Sequence, residues 1–347
     1  MHFEPSKHMN FRKSKPVIGI SIGDINGVGA EVTIKALQDS RLHKIITPVI
    51  YGHGKVLTFY KKALGLEEFN FMQIRNISEV HHKKINVINV QQDSPEIIPG
   101  VETAEAGKMA LAALSQAVAD LKENHLNALV TAPLNKNNIH TPENKFIGHT
   151  EYLTEAFESK KSMMFMVSED MRVGLVTAHV PLRAVADLIT PQLIREKLNI
   201  MIQSLKDDFG ISKPKIAVLG LNAHAGEDGL LGKEEIEIIQ PLIRDYKDKG
   251  ALVFGPYPAD GFFGMLHHRK FDGILAMYHD QGLIPFKTIS FETGVNFTAG
   301  LPVVRTSPDH GTAYDIAGKN MANEGSMRAA LFQAYEIICR KGNWEEE

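Results

Sequence analysis

KPVIGISIG (15–23), followed by GVGAEVTIKALQ (27–38), sets the architecture of this chain. The first run is short, apolar and rich in β-branched residues, the composition of a buried strand. Gly23, Gly27 and Gly29 then lead into a helical pattern, and a strand feeding a helix is the start of a crossover unit. The same sequence grammar recurs downstream. ITPVIYG (46–52), KINVINV (84–90), NALVTAP (127–133), RVGLVTAHV (172–180), KIAVLGLNAH (215–224), GALVFGPYP (250–258) and FDGILAMYHD (271–280) are further strand candidates. Helices are predicted between them, at 103–124 and at 190–210 among others. The second of these has Thr190 as N-cap, Pro191 at the first helical position and Gly210 as its stop. Alternating strands and helices predict an α/β fold with a mainly parallel sheet. Two α/β lobes around a cleft are expected, residues 1–135 with 295–347 forming the first and 136–294 the second.

Bulk properties exclude several classes. With 347 residues, 44% of them hydrophobic, the chain can bury a large core. A net charge of −3 offers no general polyanion surface, so no nucleic-acid partner is expected. No run reaches the roughly 18 apolar residues of a membrane helix, and the basic stretch Lys7–Lys15 reads as a frayed tail. The single cysteine, Cys339, excludes an intrachain disulfide and a cysteine-based zinc site, and cytoplasm is the simplest location.

Three histidines share one context. His179 in VGLVTAHVP, His224 in AVLGLNAHAGED and His279 in ILAMYHDQG each follow an apolar run, among small or turn residues. Functional groups in α/β sheets collect at the carboxyl ends of strands, and three imidazoles converging there can hold a divalent ion. Asp260 and Asp280 lie close by in sequence, as ligands, as residues orienting a histidine, or as proton acceptors. With 15 histidines in the chain some will follow strands by chance, so spacing alone does not establish convergence.

Two other segments stand out. GDINGVGAE (23–31) could bring backbone N–H groups near an anion, but it lacks the GxGxxG spacing and reads more simply as a strand-to-helix turn. TSPDHGTAYDIAGKNMANEGS (306–326) sets His310, Gly311, Thr312, Asp315 and Asn323 among small residues, a loop able to wrap an adenosine. A carboxylate at Asp315 would accept a ribose hydroxyl and repel a 2′-phosphate, favouring NAD over NADP.

HGTAYDIAGKNMAN and GDINGVGAE resemble the adenosine loop and N-terminal motif of the isocitrate and isopropylmalate dehydrogenases, which bind NAD(P) without a GxGxxG Rossmann domain. GHTEYL, TAHVPL, GLNAHAGEDGLLGKEE, GPYPAD, AMYHDQGL and VNFTAGLPVVRTSPDHGTAYDIAG narrow the resemblance to the 4-hydroxythreonine-4-phosphate dehydrogenase family, in order from about residue 16 to about 330. Ala223 departs from the proline usual before the second histidine, which should change loop stiffness more than ligation.

The resemblance implies an isocitrate-dehydrogenase-like fold and an NAD-dependent enzyme of pyridoxal phosphate biosynthesis. It implies one divalent ion (Zn, Co, Ni, Mn or Mg) on His179, His224 and His279, with ligands from both subunits of a homodimer. Substrate contacts map to His149, Thr150, Lys287, Asn296 and Arg305. The implied reaction oxidises 4-phosphooxy-L-threonine to 2-amino-3-oxo-4-(phosphooxy)butanoate, which decarboxylates to 3-amino-1-hydroxyacetone 1-phosphate. Two alternatives remain: a dehydrogenase of D-threonate or D-erythronate 4-phosphate, and a metal- or nucleotide-binding regulatory module without chemistry.

Overall fold

The computed structural model describes residues 15–139, 146, 148–159 and 161–342. Apart from Lys15, the basic N-terminal stretch lies outside the described residues. Twelve strands form one sheet in the order β3-β4-β2-β1-β5-β12-β11-β6-β7-β10-β8-β9. They are β1 (Val17–Ser21), β2 (Thr47–Gly52), β3 (Met72–Ile74), β4 (Asn86–Asn89), β5 (Ala128–Thr131) and β6 (Met163–Val167). The remaining six are β7 (Arg172–Leu175), β8 (Lys215–Leu219), β9 (Leu252–Tyr257), β10 (Gly273–Ala276), β11 (Val295–Ala299) and β12 (Val304–Pro308).

Strand direction divides the sheet. From β3 to β12 every neighbour is parallel, whereas β11 runs antiparallel to both β12 and β6, and β6 antiparallel to β7. Beyond that reversal β7, β10, β8 and β9 are again mutually parallel. Strands from the two ends of the sequence therefore fill one half of the sheet, and strands from its middle fill the other.

Every residue of β1, β2 and β5 is buried, as parallel strands covered on both faces require. The helix Ala104–Lys122 covers this half with a small-residue face, Ala106, Gly107, Ala110, Ala113 and Ala117, and Thr103 caps it by accepting from the Ala106 N–H. A side chain at Gly107 would collide with the Asn138 carbonyl, so this glycine lets the short helix Lys136–Ile139 pack close. The helix Pro191–Asp207 begins as its sequence predicts, the Thr190 hydroxyl accepting from the Leu193 N–H at 3.2 Å. Gly210 stops it in the left-handed region at φ 71°.

Candidate active site

Where strand direction reverses, β5, β12, β11 and β6 wall a cavity of about 210 Å³. Its lining includes Thr131, Lys136, His149, Thr150, Glu151 and His179, and on the C-terminal side Asn296, Arg305, His310 and Gly311. Five of the expected substrate and cofactor contacts thus meet at one cavity with His149, and His179 joins them.

Arg305 carries the electrostatics. It lies mid-sheet on β12, only 2% exposed, and its N–H groups donate to the Thr131 hydroxyl at 2.6 and 3.2 Å and to the Thr298 hydroxyl at 3.1 Å. Those three bonds leave two of a guanidinium's five donors to spare. Burial pulls its pKa down from 12.5 to about 9, with the Glu151 charge opposing the fall, so it is still a cation at neutral pH. A buried cation whose partners among the described residues are hydroxyls pays a desolvation cost that an incoming anion can offset.

The polar atoms around it are also unsatisfied. Among the described residues, His149 Nε2, Asn296 Oδ1 and His310 Nε2 are buried without hydrogen-bond partners. Burial, reinforced by the charges of Arg305 and Lys136, holds His149 well below its ordinary pKa, and burial lowers His310 too. Both rings are therefore neutral at pH 7, each able to donate or accept one bond. Unsatisfied buried groups normally cost 1–3 kcal/mol each, and several around one cation mark a place built for a polar ligand.

The histidine triad is only partly assembled within one chain. Strands β7, β10 and β8 are adjacent and parallel, so His179, His224 and His279 emerge from the same edge. The rings of His179 and His279 lie 5.9 Å apart between centroids. Each has a carboxylate on its Nδ1 side: Asp280 Oδ1 at 2.7 Å from His279, Glu151 Oε1 at 3.9 Å from His179. A carboxylate behind each ring suits ligands that present Nε2 to a metal. His224 does not join them; its side chain is 65% exposed and its Nδ1 lies 3.6 Å from Glu227. It occupies a turn, Ala223–Gly229, in which His224, Ala225, Gly226, Glu227 and Asp228 are all left-handed. Such backbone costs roughly 1–2 kcal/mol per non-glycine residue. The buried Glu235 carboxylate braces it, accepting from the Leu221 and Asn222 N–H groups at 2.7 and 2.8 Å and from the Asn222 amide at 2.9 Å. Among the described residues the tight cluster of potential ligands is elsewhere, at Asp120, Glu123 and His125, where exposed acidic groups need no ion.

Asp260 and Asp280 line a neighbouring apolar groove with Phe263, Tyr278 and Ile284, outside the Arg305 cavity. Lys287 is also off the cavity wall. Its ammonium lies 3.1 Å from Asp309 Oδ1, and Asp309 precedes His310.

The C-terminal loop is mounted on the N-terminal glycine segment. The Val28 N–H donates to the Thr312 carbonyl at 2.9 Å, and a Cβ on Gly27 would stand 2.8 Å from that oxygen. Asp24 is fully buried and accepts from the Tyr314 hydroxyl at 2.8 Å and the Asn138 amide at 2.7 Å. Glu31 accepts from the Ala322 N–H at 3.0 Å while Lys35 donates to the Ala322 carbonyl at 2.8 Å. The bare face of Gly27 is therefore filled by loop backbone, and its role is close packing. Asp315 is exposed, and Asn323 caps the last helix by accepting from the Gly325 N–H at 2.7 Å.

Sequence reading missed Lys136, Glu151, Asp24 and Tyr314. Glu151 follows the singled-out His149 and Thr150 directly, and Asp24 sits inside GDINGVGAE, so position within the motifs was the available signal.

An α/β sheet that reverses direction over a cation-lined polar cavity, with histidines at an adjoining edge, defines an enzyme that handles a small anion, and its relatives make it a dehydrogenase. The chain belongs to the family described as pyridoxal phosphate biosynthetic protein PdxA, whose sequence profile matches residues 44–334. It is 49% identical over 327 residues to a 4-hydroxythreonine-4-phosphate dehydrogenase of Bacteroides thetaiotaomicron, covering 94% of this chain and 90% of that one. A relative from Oceanobacillus iheyensis, assigned as a D-threonate 4-phosphate dehydrogenase, is 38% identical over 330 residues, covering 94% and 99%. The crystal structure of 4-hydroxythreonine-4-phosphate dehydrogenase from Klebsiella pneumoniae superposes with a TM-score of 0.79 at 35% identity, covering 94% of this chain and 99% of that one. Among the described residues no helix is long and apolar enough to cross a membrane.

Proposed function

We infer that this protein oxidises 4-phosphooxy-L-threonine with NAD, yielding the β-keto acid that decarboxylates to 3-amino-1-hydroxyacetone 1-phosphate. The observation that carries the reading is buried Arg305, ringed by the unsatisfied atoms of His149 and Asn296 in a cavity sized for a four-carbon phosphate ester. Arg305 offers its spare N–H donors to an anionic group, while neutral His149 and the Asn296 amide fix its orientation. Lys136 adds positive charge at the cavity wall, and Thr150 contributes a hydroxyl. NADH formation from 4-phosphooxy-L-threonine and from D-threonate 4-phosphate, measured side by side, tests the assignment. Faster turnover of the sugar acid would overturn it.

His179 and His279 fit a divalent ion, since each ring has a carboxylate on its Nδ1 side; His224 is the third ligand, supplied by the partner subunit. When bound, such an ion lowers the pKa of a coordinated hydroxyl. Imidazole donors favour zinc, cobalt or nickel, with manganese and magnesium weaker candidates. In this reading Asp280 orients His279, and Asp260 or Asp280 receives the hydroxyl proton.

The loop from His310 to Asn323 would hold NAD, with exposed Asp315 towards the ribose, and NAD bound there would supply the hydride acceptor. Asp315→Ala should weaken NAD binding about tenfold and reduce discrimination against NADP, read from KM values for both cofactors. An unchanged preference would place the adenosine elsewhere. Gly27→Ala should displace Thr312, costing about 1–3 kcal/mol in a thermal melt and raising the KM for NAD. Normal NAD binding in that variant would separate the glycine segment from cofactor recognition.

The working unit is a cytoplasmic homodimer. Ile284 and Phe291, each 62% exposed, and Met265, 70% exposed, leave large apolar side chains in solvent on and near the groove that holds Asp260 and Asp280. The helix Ala259–Gly264 in that groove touches the His224 turn, so a partner docking there would reach the histidine edge.

A further inference from the structure

We propose that Glu151 recognises the α-ammonium of the substrate and thereby sets the preference for a phosphorylated amino acid over the matching hydroxy acid. The inference rests on the reading of the cavity as a phosphorylated hydroxy-acid site and deepens it.

Charge composition is the first argument. The side chains lining the cavity include a lysine and an arginine, Lys136 and Arg305, and three histidines, His149, His179 and His310. Among the described lining residues Glu151 is the carboxylate. 4-Phosphooxy-L-threonine carries two anionic groups and one ammonium. The anions have Arg305 and Lys136 to face; the ammonium has Glu151. In the corresponding hydroxy acid the ammonium is replaced by a neutral hydroxyl, and a carboxylate there gains much less.

Position is the second. Glu151 lies in the first turn of the helix His149–Ala156, and its Oε1 stands 3.9 Å from His179 Nδ1. Its Oε2 reaches over Gly148, where an added Cβ would come within 2.7 Å of that oxygen and 3.4 Å of Lys136 Nζ. The carboxylate thus sits between the histidine edge and the cation-lined wall. In the substrate the amine-bearing carbon adjoins the carbon that is oxidised. A group recognising the nitrogen must therefore lie beside the groups that take the reacting oxygen, and Glu151 is beside His179.

The experiment compares Glu151→Gln and Glu151→Asp with the unmodified protein on 4-phosphooxy-L-threonine and D-threonate 4-phosphate. For Glu151→Gln the ratio of the two kcat/KM values should shift about 30-fold towards the hydroxy acid, the scale of one charge-assisted hydrogen bond, with most of the change in KM. Glu151→Asp should recover part of the preference. Calorimetric binding of both compounds to metal-loaded protein should repeat the contrast without turnover. Equal losses on both compounds, with reduced metal retention, would show that Glu151 acts only through His179 and would overturn the proposal. An unchanged ratio would overturn it as well. Failure of the assigned reaction reads differently: the unmodified protein, before any substitution, would oxidise D-threonate 4-phosphate faster or would oxidise neither compound, while calorimetry would still compare their binding.

Discussion

Replacing Arg305 with methionine should lower kcat/KM for the phosphorylated substrate about a thousandfold and leave the free protein at least as stable as before. The loss follows from removing a desolvated cation from an anion, an exchange that costs about 2–5 kcal/mol or more when one partner is truncated. The stability gain follows from the same burial. Arg305 is surrounded by threonine hydroxyls and apolar strand, and among the described residues it has no carboxylate hydrogen-bond partner. Removing an uncompensated charge from such a place in favour of an apolar chain of similar length is commonly neutral or stabilising. Steady-state kinetics and a thermal melt of the same preparation check both halves. Collapse of stability together with activity would make Arg305 a structural residue. Arg305→Lys should rescue little, because a point charge cannot keep both threonines and still present a planar fork.

His224→Ala should abolish turnover while the fold and the proposed dimer persist, since the side chain is exposed and its turn is held by Glu235. Mixing then separates two arrangements. If His224 serves the partner's cavity, refolding His224→Ala together with Arg305→Met creates dimers with one intact site. Random pairing should restore about a quarter of the activity. No recovery would mean that His224 works with the cavity of its own chain. Near-normal activity of His224→Ala alone, with metal retained, would remove the triad from the mechanism.

The sequence displays some of this directly. The strand–glycine–helix run at 15–38, the capped helix at 190–210 and the three strand-following histidines depend on local pattern, and local pattern is what a single sequence records. β6 and β11 were not legible. MMFMV (163–167) and VNFTA (295–299) are short, and although each has a sequence-near antiparallel neighbour, the pairing of one with the other joins residues more than 100 positions apart. Arg305 illustrates the general difficulty. An arginine between Val304 and Thr306 reads as a solvated cation until β5 and β11 close on either side of it, bringing Thr131 from 174 residues away. Glu151 and Lys136 are ordinary surface residues in sequence, and they acquire meaning only from the charges opposite them. The proposed division into two lobes rests on the order of strands in a single continuous sheet.

That order has a consequence for how the chain is made. Among the described residues β12 is the last strand in sequence order, yet it lies at the middle of the sheet, between β5 and β11. Until residues 304–308 have left the ribosome, β5 and β11 each present an unpaired edge rich in apolar side chains, a surface that invites wrong pairing. The strand that closes those edges is the one that carries Arg305. A nascent chain therefore acquires its sealed sheet and its anion site in the same step, and truncation before residue 304 leaves two open edges and no guanidinium.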